Sequence, residues 1–325
     1  MNFGTNVKVA LLFAATMMLF ASCAKEPKEE DDAVERRVLA AHITAVYKDT
    51  LQKLPSGCFV MTKKKGIGKL VEANSSFFVK YSRMNLKNEY DQTNIEEIAK
   101  NAGGFAYTNY YGPTLYEIGN YTMIKGMEEA FLGKREGANF RLIIPSWASY
   151  MAYEGSDKQQ ATTFVYDFEI EKVIGDYAEY EIDTLEKFSA AHYDGLDSLK
   201  KGFYFKHLTE GSGDSVKVGN SITYNYVGRL LDGFVFDTNI EDTARKYKIY
   251  SSDKNYVPVT YEVAEPGAQN SLEQSVVDGF GEALLKMKYG GKAVTFFSSG
   301  WGYGEQSQSF GRKQQMHFYI EVLPK

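Results

Sequence analysis

The side chains that most often carry nucleophilic, acid–base or metal chemistry are scarce in this chain and stand apart. Four histidines occur singly among the 325 residues: His42, His192, His207 and His317. A serine nucleophile needs a neighbouring base, and a zinc site needs several ligands at short spacings. Neither pattern surrounds these histidines, so the sequence indicates no Ser–His pair and no metal. His42 and His192 each follow two alanines in helix-like stretches, which favours packing or capping.

Ligands that carry phosphate also fit this sequence poorly. The segment Gly211-Ser212-Gly213 has the composition of a phosphate loop, but a strand-like stretch follows it, whereas phosphate binds at the N-terminus of a helix. The net charge is −5. Nucleic acid binds through clustered Lys and Arg, and the sequence contains no such cluster, which excludes nucleic acid as a predicted partner.

The first residues have the pattern of an export signal rather than of a folded domain. Lys8 precedes an apolar run of 13 residues, Val9 to Ala21, which is shorter than the ~20 residues of a membrane-spanning helix and suits a signal-peptide core. Phe20-Ala21-Ser22-Cys23 resembles a bacterial lipobox, in which small residues precede a lipidated cysteine. We therefore predict a signal peptide over 1–22, lipidation of Cys23, and a lipid anchor in the membrane of the bacterial cell envelope. In the alternative interpretation, Cys23 is incidental in an ordinary signal peptide.

An acidic stretch and a second cysteine follow. Residues 23–32 are predicted to form a tether that ends in Lys28-Glu29-Glu30-Asp31-Asp32, because a segment of low hydrophobicity and high charge stays solvated. Acidic tethers directly after the cysteine resemble surface-export signals of some Bacteroidetes lipoproteins, although such a run is more often only a linker. Cys58 lies in the apolar stretch 57–61, so we expect it to pack as a small hydrophobic side chain.

The remaining chain repeats itself. The 24 Tyr and 21 Phe of the full sequence suit pleated, half-buried surfaces. Similar segments recur in one order, 145 residues apart for Phe77 and Ile222 and 153 apart for Ile124 and Val277. Ordered self-similarity indicates repeated structural units. We predict two units, 33–175 and 183–325, joined by a polar, Tyr-rich junction.

Each unit is predicted to be an antiparallel sheet curled over one short helix, an α+β architecture. A leading helix comes first, over Val34–Tyr47 and over Thr184–Leu199, the latter with Asp183 as its N-cap. In the second unit, residues 222–228 alternate as a strand, Asp232-Gly233 forms a hairpin turn, and apolar residues recur at helical spacing over 276–287. Strands follow over 293–297 and 316–323.

The second unit resembles an FKBP-type peptidyl-prolyl cis-trans isomerase. The resemblance rests on ordered segments: TYNYVGRLLDGFVFD (223–237), VVDGFGEALLKMKYGGKA (276–293), GWGYG (300–304) and the closing strand MHFYIEVL. They span nearly all of Gly202–Lys325, and the two units together resemble tandem or single FKBP-type lipoproteins of Bacteroidetes-like bacteria. The resemblance implies isomerase activity on proline-containing polypeptides, without a cofactor or a metal.

Carried over position by position, the resemblance implies a pocket in the second unit. Phe280 stands at the pocket floor, where the family has Trp, and Tyr303 would donate a hydrogen bond to the substrate carbonyl. The other implied residues are the aromatic walls Tyr226, Phe236 and Phe318, the polar Asp237, and the substrate-binding Val276 and Val277 at the helix end. Without the resemblance, aromatic and aliphatic residues at these spacings indicate ordinary core.

The sequence departs from the family pattern in several places. The stretch 239–275 is longer than in minimal members and is expected to form a flap or a partner surface, and the loop 306–315 is polar except for Phe310. In the first unit, Met127 stands at the floor position, Tyr90-Asp91 replaces the Phe-Asp pair, Ser149-Tyr150-Met151 replaces the Tyr-Gly turn, and Tyr81 and Tyr166 match the walls. Because Met is flexible, we predict that the first unit is a weak or non-catalytic copy.

Two functions fit these patterns. The first is an envelope-anchored prolyl isomerase and folding helper whose turnover occurs in the second unit. The alternative is a non-catalytic FKBP-like lipoprotein that binds an envelope or surface partner, which the altered pocket floors and the long insertions favour.

Overall fold

The computed structural model describes residues 32–48, 50–265 and 276–325. The chain divides into two compact units, Met1–Asp49 and Thr50–Lys325. In the first, helix α1 (Ala33–His42) continues into a π-helical turn, Ile43–Tyr47, where the leading helix was predicted. The predicted signal peptide, Cys23 and most of the tether lie outside the described residues. Among the helices that are described, none has the length and apolar character needed to cross a bilayer.

Residues 50–174, the first half, carry a seven-stranded antiparallel sheet, which we name the first sheet. Its strands are β1 (Gln52–Lys53), β2 (Phe59–Lys64), β3 (Ser76–Met84), β4 (Tyr90–Thr93), β5 (Thr114–Glu117), β6 (Asn139–Ile144) and β7 (Phe164–Ile174). Helices α2 (Glu96–Asn101) and α3 (Lys125–Phe131) and a 3₁₀ turn (Ser146–Ala148) lie between the strands. The strand order is β1-β2-β6-β7-β3-β4, with β5 also paired to β3, so that β4 ends the sheet on one side.

Residues 175–325, the second half, carry helix α4 (Tyr177–His192) and a six-stranded antiparallel sheet, the second sheet. Its strands are β8 (Phe203–Thr209), β9 (Ser221–Leu230), β10 (Val235–Thr238), β11 (Val259–Glu262), β12 (Lys292–Phe297) and β13 (Met316–Val322). Helices α5 (Glu241–Lys246) and α6 (Asp278–Leu284) and a 3₁₀ turn (Ser299–Trp301) lie between them. The order β10-β9-β13-β12-β8, with β11 on β9, repeats that of the first sheet without β1. The predicted α+β fold with two antiparallel sheets is confirmed.

Each sheet packs its core against one short helix. In the first half, the ring of Phe131 on α3 lies 4.9 Å from Phe77 and Phe168 and 5.1 Å from Phe140, and all four side chains are fully buried. Cys58 belongs to the same core, and burial raises the pKa of its thiol to about 11. The prediction that Cys58 packs as a hydrophobic side chain is confirmed.

The segment between the two sheets is helical, which corrects the prediction for Thr184–Leu199. Helix α4 begins at an earlier N-cap, Asp176, whose side chain accepts a hydrogen bond from the Glu179 amide at 3.0 Å. Asp183, the predicted N-cap, lies inside the helix in an i,i+4 ion pair. The helix ends at His192 and is followed by Asp194, whose φ of 57° is left-handed and cannot continue a helix.

One half-buried histidine makes the stability of the fold depend on pH. His317 on β13 packs against helix α4: its Nε2 lies 2.7 Å from the hydroxyl of Tyr193, and its ring centroid lies 5.6 Å from that of Phe188. Burial, together with the charges of Arg229 and His192, lowers the pKa of His317 from 6.5 to about 4. The native fold therefore holds this imidazole neutral at pH values where the unfolded chain protonates it.

We expect the free energy of unfolding to fall as the pH drops from 6.5 to about 4, and the contribution of His317 to be constant above that window. Within the window the unfolded chain binds a proton that the native chain does not bind, which costs about 3 kcal/mol in total. Urea unfolding of the wild type and of His317→Gln across this pH range measures the effect. Parallel pH profiles for the two proteins would contradict the prediction.

Candidate functional site

A buried asparagine fixes the geometry of the β9–β10 hairpin. The turn residue Gly233 has a φ of +93°, as the predicted Asp-Gly turn requires. Just after β10, Asn239 is 4% exposed; its Oδ1 accepts from the Tyr226 amide at 2.8 Å, and its Nδ2 donates to the Tyr224 carbonyl at 3.1 Å. Thr238 adds a hydrogen bond from Oγ1 to the Tyr226 carbonyl at 2.6 Å. These bonds hold residues 235–238 in one position beside β9.

Four of the predicted aromatic residues meet above helix α6 and form what we name the aromatic cleft. The rings of Phe280 and Phe318, 3% and 5% exposed, lie 5.2 Å apart at 83°. Tyr226 is edge-on to Phe280 at 6.1 Å, and Phe236 is edge-on to Phe318 at 5.7 Å. Tyr226 and Phe236 are half-buried. The two outer rings therefore present apolar surface to solvent above a buried aromatic floor.

Asp237 supplies a polar group at the edge of the aromatic cleft. The hydroxyl of Tyr226 donates to Asp237 Oδ2 at 2.6 Å, and the ammonium group of Lys254 binds Oδ1. Burial and the charge of Asp237 raise the pKa of Tyr226 above its usual value, so this hydroxyl keeps its proton and remains a donor. The Thr238 amide also donates to Oδ1, at 2.9 Å, so the carboxylate is held by three partners.

Lys254 is a site residue that the sequence interpretation missed. It lies in the long stretch 239–275, which was expected to form a flap or a partner surface. The described part of that stretch contains helix α5 and strand β11, and β11 pairs with β9. No local pattern marks Lys254, because its contact with Asp237 exists only after this insertion has folded.

A glycine on β9 provides the space for the two wall rings. A Cβ atom at Gly228 would lie 2.7 Å from the Phe236 ring and 2.9 Å from the Phe318 ring, closer than nonbonded carbon atoms approach. In the β9–β13 register Gly228 lies opposite Phe318. The absence of a side chain at this position is therefore what admits Phe236 and Phe318 together.

The remaining predicted residues surround the cleft or lie outside the described chain. Val276 and Val277 are half-buried directly before helix α6, and Tyr303 is half-buried after the 3₁₀ turn, all three packed against the core of the second half. Burial and the charge of Asp237 raise the pKa of Tyr303, which keeps its hydroxyl protonated. Cys23 and residues 266–275 are not among the described residues.

The loop 305–315 completes the cleft with one apolar side chain. Phe310 is 6% exposed, and its ring lies 4.8 Å from Phe236 and 6.3 Å from Tyr303. The sequence singled out Phe310 as the apolar exception in a polar loop, and the structure shows why the exception exists: this ring packs against the wall of the aromatic cleft.

Ion pairs fix the same loop to the first sheet. Glu117 at the end of β5 binds Arg312 at 2.5 Å and Lys313 at 2.9 Å, and both cations also bind Glu305, at 2.8 and 2.7 Å. Burial opposes ionisation, but hydrogen bonds from Lys313 and Asn120 and the charge of Arg312 lower the pKa of Glu117 to about 2. We name these four charged residues (Glu117, Glu305, Arg312, Lys313) the loop clamp.

The first half repeats the hairpin geometry but not the cleft. Asn94 binds the Tyr81 amide at 2.7 Å and the Val79 carbonyl at 2.8 Å, as Asn239 does in the second half. In the strand pairing, Gln92 lies opposite Arg83 as Asp237 lies opposite Gly228, and β4 and β10 each contain one extra bulge residue. This pairing places Asp91-Gln92 at the positions of Phe236-Asp237. The predicted equivalence of Tyr90-Asp91 with that pair is therefore wrong by one residue.

An ion pair stands where the second half has its wall rings. Arg83 occupies the position of Gly228, and its guanidinium donates to Asp91 at 2.9 and 2.8 Å. Tyr166 lies opposite Arg83 as Phe318 lies opposite Gly228, and Met127 has the place of Phe280 in its helix, 6% exposed. The first half therefore has an arginine side chain and an acidic residue at two positions that form the cleft in the second half.

Residues 213–323 match the family model for FKBP-type peptidyl-prolyl cis-trans isomerases. Residues 213–323 form an FKBP-type domain. The isomerase Mip of Coxiella burnetii is 32% identical over 131 residues, which are 40% of this chain and 47% of that protein. The probable isomerase FkpA of Neisseria meningitidis is 26% identical over 185 residues, 53% of this chain and 60% of that protein. The chain thus spans about half the length of the curated relatives it matches, and the predicted family is confirmed for the FKBP-type domain.

Two solved FKBP structures match this chain with low TM-scores. The crystal structure of FkpA from Escherichia coli covers 45% of this chain and 57% of its own, with 21% identity and a TM-score of 0.34. The structure of the three FKBP domains of wheat FKBP73 covers 84% of this chain and 98% of its own, with 16% identity and a TM-score of 0.29.

Proposed function

We propose that the FKBP-type domain is a peptidyl-prolyl cis-trans isomerase acting on proline-containing polypeptides, with the aromatic cleft as its catalytic site. The observation that carries the proposal is the set of perpendicular rings, with Phe280 and Phe318 buried beneath the half-buried Tyr226 and Phe236. In this proposal Phe280 is the floor, Val276 and Val277 contact the substrate at the helix end, and Asp237 orients the Tyr226 hydroxyl.

The chemistry needs a suitable environment rather than a nucleophile. Rotation about the X–Pro bond is slow because amide resonance stiffens it, with a barrier of about 18–20 kcal/mol. At the twisted top of the barrier conjugation is lost, and the carbonyl and the nitrogen become less polarised. An apolar aromatic cleft favours that species over the planar one, relative to water, and the Tyr303 hydroxyl would fix the carbonyl. Only contacts that are stronger in the twisted state lower the barrier, and about 1.4 kcal/mol of such preference gives a tenfold rate.

A cis-to-trans assay on a short X–Pro peptide tests this function. We expect the purified full chain to accelerate isomerisation above the uncatalysed rate, and Tyr303→Phe to lower kcat/KM, because the conservative change removes only the hydroxyl. Absence of any rate above background in a protein whose circular dichroism spectrum is that of a folded α+β chain would reject the enzymatic function.

A second candidate function is binding without turnover, in which the domain holds an envelope or surface partner. The specific observation that favours it is the crowding of the cleft mouth, where Phe310 packs on Phe236 and Lys254 is bound to Asp237. The same assay separates the two candidates. Saturable binding of a proline peptide without acceleration of its isomerisation would support the second.

We propose further that the chain is a lipid-anchored envelope protein with tandem FKBP-like units. The sequence pattern around Cys23 supports an anchor, and one relative, from Legionella longbeachae and 26% identical over 131 residues, is named an outer membrane protein. The shared strand order supports units over 33–175 and 183–325, after a signal peptide over 1–22 and a tether over 23–32. The partners of such a protein would be unfolded polypeptides outside the cytoplasm.

Replacing Cys23 by serine is expected to release the protein from the membrane, because the hydroxyl cannot form the thioether that carries the lipid. Sedimentation of cell membranes from wild type and Cys23→Ser, followed by blotting, measures the released fraction. Cys58→Ser is the matched control, since Cys58 is buried in the core, and it should leave sedimentation unchanged. Unchanged sedimentation of Cys23→Ser would reject lipidation.

A further inference from the structure

A large cavity separates the first sheet from the loop 305–315. Its volume is about 1030 Å³. The side chains that line it include Tyr81, Tyr90, Gln92 and Tyr116 from the first half, and Phe310 and Arg312 from the loop. Protein cavities that bind small ligands usually measure about 300–1000 Å³. This cavity is therefore large enough for an elongated ligand, and it lies outside the aromatic cleft.

Phe310 connects the cavity with the aromatic cleft. Its ring lies 4.8 Å from Phe236, the wall of the cleft, and it also lines the cavity. The loop clamp keeps this ring in position, because Glu117 binds both Arg312 and Lys313. Phe310 therefore lies between the cavity and the Phe236 wall of the aromatic cleft.

The lining favours a neutral, extended polypeptide over a charged small molecule. The charged side chains of the lining are already paired: Asp91 with Arg83, and Glu305 and Arg312 with each other. The Tyr90 hydroxyl and the Gln92 amide remain to bind main-chain groups, and aromatic side chains are typical of protein recognition sites. In addition, β4 ends the first sheet, and an edge strand can pair with an extended peptide.

We propose that this cavity is an extended subsite for the polypeptide segment that flanks the isomerised proline. The inference rests on the proposed function of the FKBP-type domain. It assigns a role to the first half: this half holds the substrate chain while the second half turns the X–Pro bond. Binding at two linked sites raises the apparent affinity without new contacts at the proline.

The length dependence of turnover tests the subsite. One X–Pro bond is offered in a short peptide and in longer peptides that extend it on either side. In one of the two series, extended on one side of the proline, we expect the wild type to have about tenfold higher kcat/KM on the longer peptide than on the short one. The variant Tyr90→Ser/Gln92→Ala, at exposed positions of β4, should lose that advantage and keep its activity on the short peptide. Tyr153→Ser, an equally exposed tyrosine of the first half outside the cavity, should behave as wild type.

A binding measurement separates failure of the subsite from failure of the proposed function. A fluorescent copy of the longer peptide with alanine in place of proline is titrated with each protein, and anisotropy reports binding without turnover. We expect measurable binding by wild type and by Tyr153→Ser, and at least about fivefold weaker binding by Tyr90→Ser/Gln92→Ala. Equal binding by all three, or equal kcat/KM on short and long peptides in an active wild type, would overturn the subsite. Absence of turnover on every peptide would instead reject the isomerase, while the anisotropy result would still decide the subsite.

Discussion

Phe280→Ala is expected to lower kcat/KM for a short X–Pro peptide at least about tenfold. Phe280 is 3% exposed, and its ring contacts Phe318 at 5.2 Å and Tyr226 at 6.1 Å. Removal of the ring takes away the apolar floor that prefers the twisted amide over the planar one. Truncation of a buried Phe also costs about 3–5 kcal/mol of stability, so kcat/KM is measured per folded protein after circular dichroism.

Met127→Ala is the matched control for this prediction. Met127 has the same position in helix α3 as Phe280 in α6, and it is 6% exposed. We expect a comparable loss of stability, about 2–5 kcal/mol, with kcat/KM within about twofold of wild type. Phe280→Trp, which introduces the residue of the family pattern, should retain activity. Equal losses in Phe280→Ala and Met127→Ala would contradict the placement of turnover in the FKBP-type domain.

A single methyl group at Gly228 is expected to abolish most turnover. Its Cβ would lie 2.7 Å from Phe236 and 2.9 Å from Phe318, so both wall rings must leave their positions. Overpacking of this kind costs about 1–3 kcal/mol of stability, and we expect a fall in kcat/KM of at least about tenfold for Gly228→Ala. The measurement is the same peptide assay, at a temperature where denaturant curves show the variant folded.

Gly175→Ala provides the control for Gly228→Ala. No atom lies within 4 Å of a Cβ built at Gly175, and we expect unchanged turnover and a stability change within about 0.5 kcal/mol. Retention of wild-type kcat/KM by Gly228→Ala would show that the wall rings have no part in turnover.

Local patterns predicted the strands and the hairpin well, because each depends on neighbours in sequence. The alternation over 222–228, the Asp-Gly turn and the closing strand all occur where they were expected. The start of helix α4 could not be predicted in the same way, because Asp176 and Asp183 are both acceptable N-caps. Packing makes the choice: the ring of Tyr180, in the earlier part of the helix, lies 5.7 Å from Phe78.

The site residues, too, were predictable from sequence only where they belong to a local motif. The family motifs contained the aromatic cleft, whereas Lys254 contacts Asp237 and Glu117 contacts the loop 305–315 across segments that no motif links. The one-residue error at Tyr90-Asp91 has a specific cause, since both segments contain an aromatic residue followed by Asp and these pairs match in sequence alone. The paired backbone instead aligns Asp91-Gln92 with Phe236-Asp237, and a shift of one residue in a strand exchanges its two faces.

Helix α4 belongs structurally to both halves. Its Tyr180 packs on Phe78 of β3, and its Phe188 lies 5.1 Å from Phe296 of β12. A shortened chain that starts or ends within 175–183 would remove the aromatic side chains that cover one sheet. The apolar surface exposed to water would promote aggregation. Neither sheet therefore keeps its full aromatic cover without helix α4.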